Sequence, residues 1–362
     1  MHESFIVLNC FTKIGATRCR KLLQYFGDLD SALRSGSEDW CRAGIESKIV
    51  SEFFAWRPTF VFEKYLARLE KEEIKYVTIL DENYPSLLTE IHDAPPLLYY
   101  RGDLNCQDFL PLAVVGARQF SPYGEKVIND LIPDLVDKNF CIISGLARGI
   151  DSLAHAATLR ANGKTMAVLG SGLNWSSIYP FENIDLARSI VASGGAVISE
   201  FPLDTAPLPI NFPRRNRIVS GLSKGVLVVE SRQKSGALIT TTYALDQNRE
   251  VLAVPGNIFS ETSVGPNELI KSGAKVVSEV NDVLEVFGLA PSQEKKISEI
   301  KIKPELDEME DKIFSVLSDS PQHSNEIARL TKLDTKDIHS KLSMLELRGI
   351  VKNAGGGEYI LN

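Results

Sequence analysis

The spacing of hydrophobic positions divides the chain into three blocks. In the middle block, residues 110–289, short apolar runs alternate with helix-length segments. Near-continuous apolar runs are typical of strands buried on both faces, and helix-length spacers are typical of right-handed βαβ crossovers. We therefore predict an α/β fold class: a Rossmann-like, doubly wound, mostly parallel sheet. The runs are residues 112–115, 141–143, 166–169, 196–198, 226–229, 251–254 and 275–277.

The two ends of the chain have a different pattern. Residues 1–100 show amphipathic helical spacing, and a glycine-containing turn at residues 12–17 opens one helix. Such turns can hold a DNA backbone, although a helical packing module is the interpretation we favour. Towards the other end, three helical segments precede a hairpin pattern, which is typical of a winged helix. We predict a helical domain with a connector (1–100), a Rossmann-like domain (101–290), a charged linker (291–306) and a winged helix (307–362).

Composition narrows the functional classes. The 362 residues carry a formal net charge of −7, so binding of nucleic acid requires a local basic patch. Five scattered cysteines without a CxxC pair argue against a zinc site and fit a reducing cytoplasm. We expect no membrane helix, because no apolar run approaches the required ~18 residues. We also expect no signal peptide, because the first residues lack a basic region followed by an apolar stretch.

Glycine-containing turns follow the predicted strands, as at Gly116, Gly145 and Gly170. Glycine lets a ligand approach main-chain N–H groups, and helices that start after such turns direct their N-termini at one crevice. The crevice therefore suits phosphate. Because the GxGxxG fingerprint is absent from the first βα turn and no P-loop occurs, we expect no NAD, ATP or other cofactor.

An arginine cluster gives the strongest signal. Three arginines lie within four residues of a segment that also holds an aromatic residue and an asparagine. Arginine binds phosphate in a fork geometry, and an aromatic ring can stack an unpaired base. The alternative is the solvated start of a surface helix, but further cations lie just past strand ends. The predicted DNA-binding residues are Arg118, Arg148, Phe212, Arg214, Arg215, Asn216, Arg217, Lys234, Ser235 and Gly236.

The other polar residues of the middle block give little support for a catalytic site. Asp151 and His155 are four apart on a predicted helix, where a structural hydrogen bond is favoured over a metal or acid–base pair. The serines at 171, 176 and 177 lack a nucleophile context, so no catalytic residue is assigned. From Asp307 onward, 7 basic residues face 10 acidic ones, which favours a protein-interaction or regulatory role for the winged helix over duplex reading.

Six motifs in order resemble those of the DNA-processing (DprA/Smf) family. They are residues 116–118 with 121–124, 144–151 with 154–155, 169–172 with 179–180, 199–202, 212–217 and 234–236. The flanking blocks resemble a sterile-alpha-motif-like domain before and a winged helix after this core. One departure is Ala117, where a hydroxyl residue is common in the family, so one phosphate contact is missing.

The resemblance implies a non-enzymatic mediator that binds single-stranded DNA in a basic pocket. It also implies loading of the RecA recombinase during natural transformation, and a homodimer formed through the same domain. The alternative is a Rossmann-like enzyme such as a nucleoside-phosphate hydrolase, which would use carboxylates such as Glu200 and Glu230 at strand ends. A third hypothesis is a scaffold that binds only proteins.

Overall fold

The computed structural model describes residues 3–106, 108–233, 235–289, 306–317, 322–348 and 350–361. The chain forms two compact units, residues 1–289 and 290–362. The finer division into helical domain, sheet domain, linker and winged helix stays a prediction. The linker expected at 291–306 lies outside the described residues except for its last position.

The first unit begins with a bundle of short helices. Its core is aromatic: the rings of Trp40 and Phe53 stack with centroids 4.4 Å apart, and the Trp40 indole N–H donates to the carbonyl of Ala32. This hydrogen bond satisfies the one polar atom of a fully buried ring. The helices are α1 (Glu3–Cys10), α2 (Ala16–Phe26), α3 (Leu29–Arg34), α4 (Ser37–Arg42), α5 (Ser47–Trp56) and α6 (Phe62–Lys71).

Nine strands form one sheet within the described residues, in the order β1-β2-β6-β5-β4-β3-β7-β8-β9. The seven strands from β3 to β9 pair in parallel, which confirms the predicted fold class and its seven apolar runs. The strands are β1 (Lys75–Thr78), β2 (Leu97–Gly102), β3 (Leu110–Val115), β4 (Phe140–Ser144), β5 (Thr165–Val168), β6 (Ala196–Ser199), β7 (Gly225–Val228), β8 (Glu250–Ala253) and β9 (Lys275–Val276).

The sequence predicted a helical domain with a connector over residues 1–100, and the structure places β1 and the start of β2 in the last part of that range. β1 and β2 form an antiparallel pair, and β2 adds antiparallel to β6, so the sheet starts before residue 101. Short apolar runs of this length fit either a strand or a buried helix, and periodicity alone does not separate them. Pairing with β6, about a hundred residues later, decides the outcome.

Helices cover both faces of the parallel strands. Along β3, Leu112 and Val114 belong to one core cluster, while Ala113 and Val115 belong to another on the opposite face. Burial on both faces explains why the strand has no polar alternation. The helices are α7 (Ser86–Thr89), α8 (Pro122–Asp137), α9 (Ile150–Arg160), α10 (Ile184–Ala192), α11 (Asn211–Gly221), α12 (Gly236–Asp246), α13 (Val264–Lys271) and α14 (Val280–Val286).

The second unit is a three-helix fold with a small sheet, which confirms the predicted winged helix. Its three-stranded sheet has the order β10-β12-β11, with β10 a short strand that the sequence did not indicate. The elements are α15 (Glu308–Val316), β10 (Gln322–His323), α16 (Ser324–Thr331), α17 (Thr335–Leu347), β11 (Val351–Gly355) and β12 (Glu358–Leu361). Among the described residues, no helix is both long and apolar enough to span a bilayer.

Candidate nucleic-acid interface

A cleft of about 880 Å³ opens at the carboxyl ends of the parallel strands. It lies around β3, whose two neighbours β4 and β7 continue the chain in opposite directions across the sheet. Open α/β sheets bind ligands at such a switch point. The turns after β3, β4 and β7 all contribute to its lining, as do the starts of α11 and α12.

An aromatic platform with an arginine beside it forms one part of the cleft. The half-buried ring of Phe212 lies 5.8 Å from the ring of Tyr179, and the guanidinium of Arg118 lies 5.8 Å from the centroid of Phe212. Arg118 is exposed and has no carboxylate partner among the described residues. A base placed on Phe212 would therefore have an exposed cation nearby for its phosphate.

Arg215 lies beneath this platform and is buried. Its guanidinium donates to the carbonyl of Val168, and a Cβ on Gly145 would come within 2.0 Å of it. Burial lowers the pKa of Arg215 to about 10, so it stays charged at neutral pH. Burial also raises the pKa of the neighbouring Asp151 carboxyl, while the charge of Arg215 opposes that rise. Arg215 therefore adds positive charge to the lining of the cleft.

The other predicted residues of the cleft differ in the contacts that their side chains already make within the protein. Arg148 lines it but forms an exposed ion pair of 2.5 Å with Glu182. The Asn216 amide donates to the carbonyl of Gly236, which ties α11 to the start of α12. Ser235 and Gly236 line the cleft beside the N-terminus of α12, and Lys234 lies outside the described residues.

The arginine cluster is split between the two sides of α11. Phe212, Arg215 and Asn216 face the cleft, whereas Arg214 and Arg217 line a different cavity beside the N-terminal helices. Arg214 is exposed, with its guanidinium 5.6 Å from the ring of Phe201. Arg217 is 6% exposed and pairs with Glu200 and Asp93. Its charge is thus occupied within the protein, and its assignment as a DNA contact stays a prediction.

The expected hydrogen bond between Asp151 and His155 is absent. Nδ1 of His155 contacts Thr165 Oγ1 at 2.7 Å, and its Nε2 has no partner within the part of the chain that the structure describes, while Asp151 accepts from the Gly145 N–H at 3.1 Å. Burial, with a smaller effect of Arg215, lowers the pKa of His155 to about 3. The partner that the spacing predicted for each side chain was thus wrong, and the structural role of the two residues stays a prediction.

The two carboxylates of the enzyme alternative have partners inside the protein. Glu230 is 1% exposed and accepts hydrogen bonds from the Ser121 N–H, the Ser121 hydroxyl and the Thr262 hydroxyl. Glu200 pairs with Arg217. Among the described residues, no group of three or more His, Cys, Asp or Glu side chains could hold a metal.

Two cleft residues were missed from the sequence. Tyr179 belongs to one of the family motifs but was not assigned to the site, yet the residue is 43% exposed and its ring lies beside Phe212. Arg232 follows β7, lines the cleft and forms an exposed ion pair with Glu261 at 3.3 Å. Its position just past a strand end was the same signal that identified Arg118.

Comparison with known proteins agrees with this architecture. The family model described as DNA recombination-mediator protein A matches residues 75–288, and that of the DprA winged helix domain matches residues 301–357. Protein Smf of Escherichia coli (strain K12) is 45% identical over 250 residues, 68% of this chain and 66% of that protein.

Two solved structures are also similar. DNA processing protein A from Streptococcus pneumoniae has a TM-score of 0.67 at 35% identity, covering 79% of this chain and 98% of that one. DNA processing protein A from Helicobacter pylori, a structure described for its single-stranded DNA binding mode, has a TM-score of 0.52 at 28% identity. That match covers 59% of this chain and 95% of the Helicobacter chain.

Proposed function

The chain belongs to the DNA recombination-mediator protein A family, and we propose that it binds single-stranded DNA in the cleft at the carboxyl ends of its parallel strands. The observation that carries this proposal is the guanidinium of Arg118 beside the ring of Phe212, with no carboxylate partner for Arg118 among the described residues. Unpaired bases have accessible faces, so an aromatic platform holds a single strand and not an intact duplex.

Each part of the cleft has a role in this proposal. Phe212 and Tyr179 stack a base, worth roughly 1–3 kcal/mol per base, and Arg118 takes the adjoining phosphate. Arg148 exchanges its exposed partner Glu182 for a second phosphate at little cost, because exposed ion pairs contribute only about 0–1 kcal/mol. The N–H groups that start α12 at Gly236 attract a further phosphate.

We also propose that the protein mediates recombination without catalysis. In this role it loads the RecA recombinase onto incoming strands during natural transformation, as a homodimer in the cytoplasm. The internal partners of Glu200 and Glu230 support the absence of hydrolysis. The scattered cysteines support a location in a reducing compartment such as the cytoplasm. The homodimer is supported by β9, which among the described residues has a sheet neighbour on one side only and so offers an edge to a second copy.

The binding proposal is tested by fluorescence anisotropy with a labelled oligonucleotide, single-stranded and then duplex, over a salt series. Wild type is compared with Arg118→Gln and with Arg188→Gln, whose exposed side chain on α10 does not line the cleft. We expect single-strand preference, loss of affinity with salt, and a salt slope lower by about 0.7 for Arg118→Gln alone. Equal binding by Arg118→Gln and wild type would refute the cleft as the binding site.

The mediator proposal needs its own measurements. Sedimentation velocity gives the mass of the free protein, and we expect twice the chain mass of 40.0 kDa. RecA loading is measured as shortening of the lag in RecA ATPase on strands covered by a single-strand-binding protein. A monomer, or an unchanged lag, would leave DNA binding standing and remove the mediator role.

A further inference from the structure

A second cavity lies on the other side of α11, between the N-terminal helices and the sheet. It has a volume of about 530 Å³ and is lined by the turn between α1 and α2, by the first turns of α2, and by Arg214 and Arg217. We call it the junction surface. It shares no residue with the cleft, and the function proposed above does not use it.

The junction surface is basic in a chain whose net charge is −7. Five cations line it, namely Lys13, Arg18, Lys21, Arg214 and Arg217, against the two carboxylates Glu46 and Asp93. Cations concentrated in one concave region of an acidic protein create a local attraction for a polyanion. The feature therefore points to a ligand that carries several phosphates.

Several of these cations are available to such a ligand. Arg214 has no carboxylate partner among the described residues, and Lys21 donates only to the carbonyl of Gly44. Lys13 pairs with Glu52 and Arg18 with Glu46, and both pairs are solvent-exposed. Exposed ion pairs contribute about 0–1 kcal/mol, so a phosphate can replace either carboxylate. Arg217 is different, because its buried pairs hold it in place.

The turn itself adds main-chain donors. α2 begins after Gly15, whose N-cap position supplies no side-chain hydrogen bond, and the first amides of a helix have no partner within it. The Cβ position of Gly15 lies 3.9 Å from a guanidinium nitrogen of Arg214. A phosphate bound to Arg214 would thus also face the start of α2.

The N-terminal helices are fixed to the sheet at this place. The Asn9 amide donates to the carbonyl of Glu200 at 2.9 Å, and the Leu203 N–H donates to the Tyr65 hydroxyl at 3.0 Å. The same hydrophobic cluster includes residues of α1, α2 and β6. The turn is therefore held at a defined position relative to α11 and the cleft.

We propose that the junction surface is a second binding site for the backbone of the same DNA strand, continuing the path from the cleft. The proposal rests on the function proposed above. An α-helix is about 10 Å across and bases stack at about 3.4 Å, so roughly three nucleotides span α11. A strand that stacks on Phe212 reaches Arg214, Lys13 and Lys21 only when it extends beyond the cleft.

This path predicts an effect that depends on strand length. We expect Lys13→Gln with Lys21→Gln to weaken binding of a strand of about 20 nucleotides roughly tenfold at low salt, with a salt slope lower by about 1.4. Binding of a strand of about three nucleotides, too short to cross α11 from the cleft, stays unchanged. Both lysines are exposed, so the double variant keeps its fold, which circular dichroism verifies.

Two matched variants sharpen the measurement. Lys64→Gln with Lys71→Gln removes the same charge from exposed positions on α6 that do not line the junction surface, and we expect it to bind both strands like wild type. Glu46→Gln releases Arg18 and removes a carboxylate from the surface, and we expect tighter binding of the long strand only. Titrations of full-length protein with both oligonucleotides give all these values.

The outcomes separate the two proposals. If Arg118→Gln weakens the short strand while the Lys13 and Lys21 double variant binds the long strand like wild type, the junction surface is not a DNA site and the cleft stands. Equal losses in the Lys64 and Lys71 double variant would also overturn it, since the effect would then be one of overall charge. If Arg118→Gln has no effect on the short strand, the cleft proposal fails first.

Discussion

At the scale of single residues, the cleft depends on one accessible ring above one buried charge. Phe212 is half-buried and packs against Gly170, where a Cβ would come within 3.0 Å of the ring. Arg215, which also lines the cleft, is 4% exposed and is held by a backbone carbonyl and by the space that Gly145 leaves. The ring can therefore be tested without disturbing the charge.

Phe212→Ala is expected to weaken binding of single strands by about one to two powers of ten. The reason is the loss of stacking, worth roughly 1–3 kcal/mol per base. The control is Phe181→Ala, since Phe181 is 79% exposed and does not line the cleft. Anisotropy titrations measure both, and equal affinities for the two variants would remove Phe212 as the platform.

His155 gives the fold a dependence on pH. Its folded pKa is lowered to about 3 from 6.5, chiefly by burial. Below pH 6.5, this histidine binds a proton in the unfolded chain, whereas in the folded protein the imidazole stays neutral down to about pH 3. Stability from this group is therefore complete above pH 6.5 and falls by about 1.4 kcal/mol per unit as pH drops towards 3.

We test this with His155→Gln, which has no proton to gain. Urea unfolding at about pH 7 and about pH 5 should show wild type losing roughly 2 kcal/mol more than the variant over this interval. Asp151 and Glu200, whose pKa values burial raises, are present in both proteins and cancel in the comparison. A parallel decline of the two proteins would contradict the buried neutral imidazole.

At the scale of elements, α11 has two different faces. One carries Phe212 to the cleft, and the other carries Arg214 to the junction surface and Arg217 into a buried ion pair. The sequence identified the cluster as a unit but not this division. Which arginine is buried depends on Glu200, at the end of β6, and on Asp93, which are distant in sequence.

The two arginines of that second face should therefore respond in opposite ways. Arg217→Gln is expected to destabilise the protein by about 3–5 kcal/mol, because it leaves the buried Glu200 without its cation. Arg214→Gln should leave the melting temperature unchanged and weaken only the binding of long strands. Thermal unfolding and anisotropy distinguish them, and a stable Arg217→Gln would show that the pair is dispensable.

Sequence patterns predicted those elements that have a strong local signal. The seven parallel strands and the winged-helix helices were located within a few residues, because buried runs and amphipathic spacing are local properties. β1, β2 and β10 were missed, since each is defined by its pairing partner. The position of Tyr179 beside Phe212 likewise depends on a contact between distant segments.

At the scale of the whole molecule, an acidic chain can bind a polyanion only if its charges are segregated. The cleft and the junction surface collect cations within residues 1–289, whereas two cations of the winged-helix unit are paired with carboxylates of that unit. In that unit Lys341 pairs with Asp307 and Glu310, and Arg348 pairs with Glu310 at 3.0 Å. Its third helix therefore has less charge to offer a duplex than its sequence implies.

This arrangement predicts that the winged helix contributes nothing to duplex binding. Lys336 and Lys352 are exposed cations of that unit, on α17 and β11. Neutralising both with glutamine in the full chain should change affinity for single strands and for duplex by less than twofold, whereas a duplex reader would lose about 0.9 of salt slope per phosphate contact.

The exposed side chains of Met344 and Leu347, 52% and 84%, are instead suited to a protein partner, since α17 places them three residues apart on one face. A duplex affinity that drops in the double variant would reverse this assignment and make α17 a DNA-reading helix.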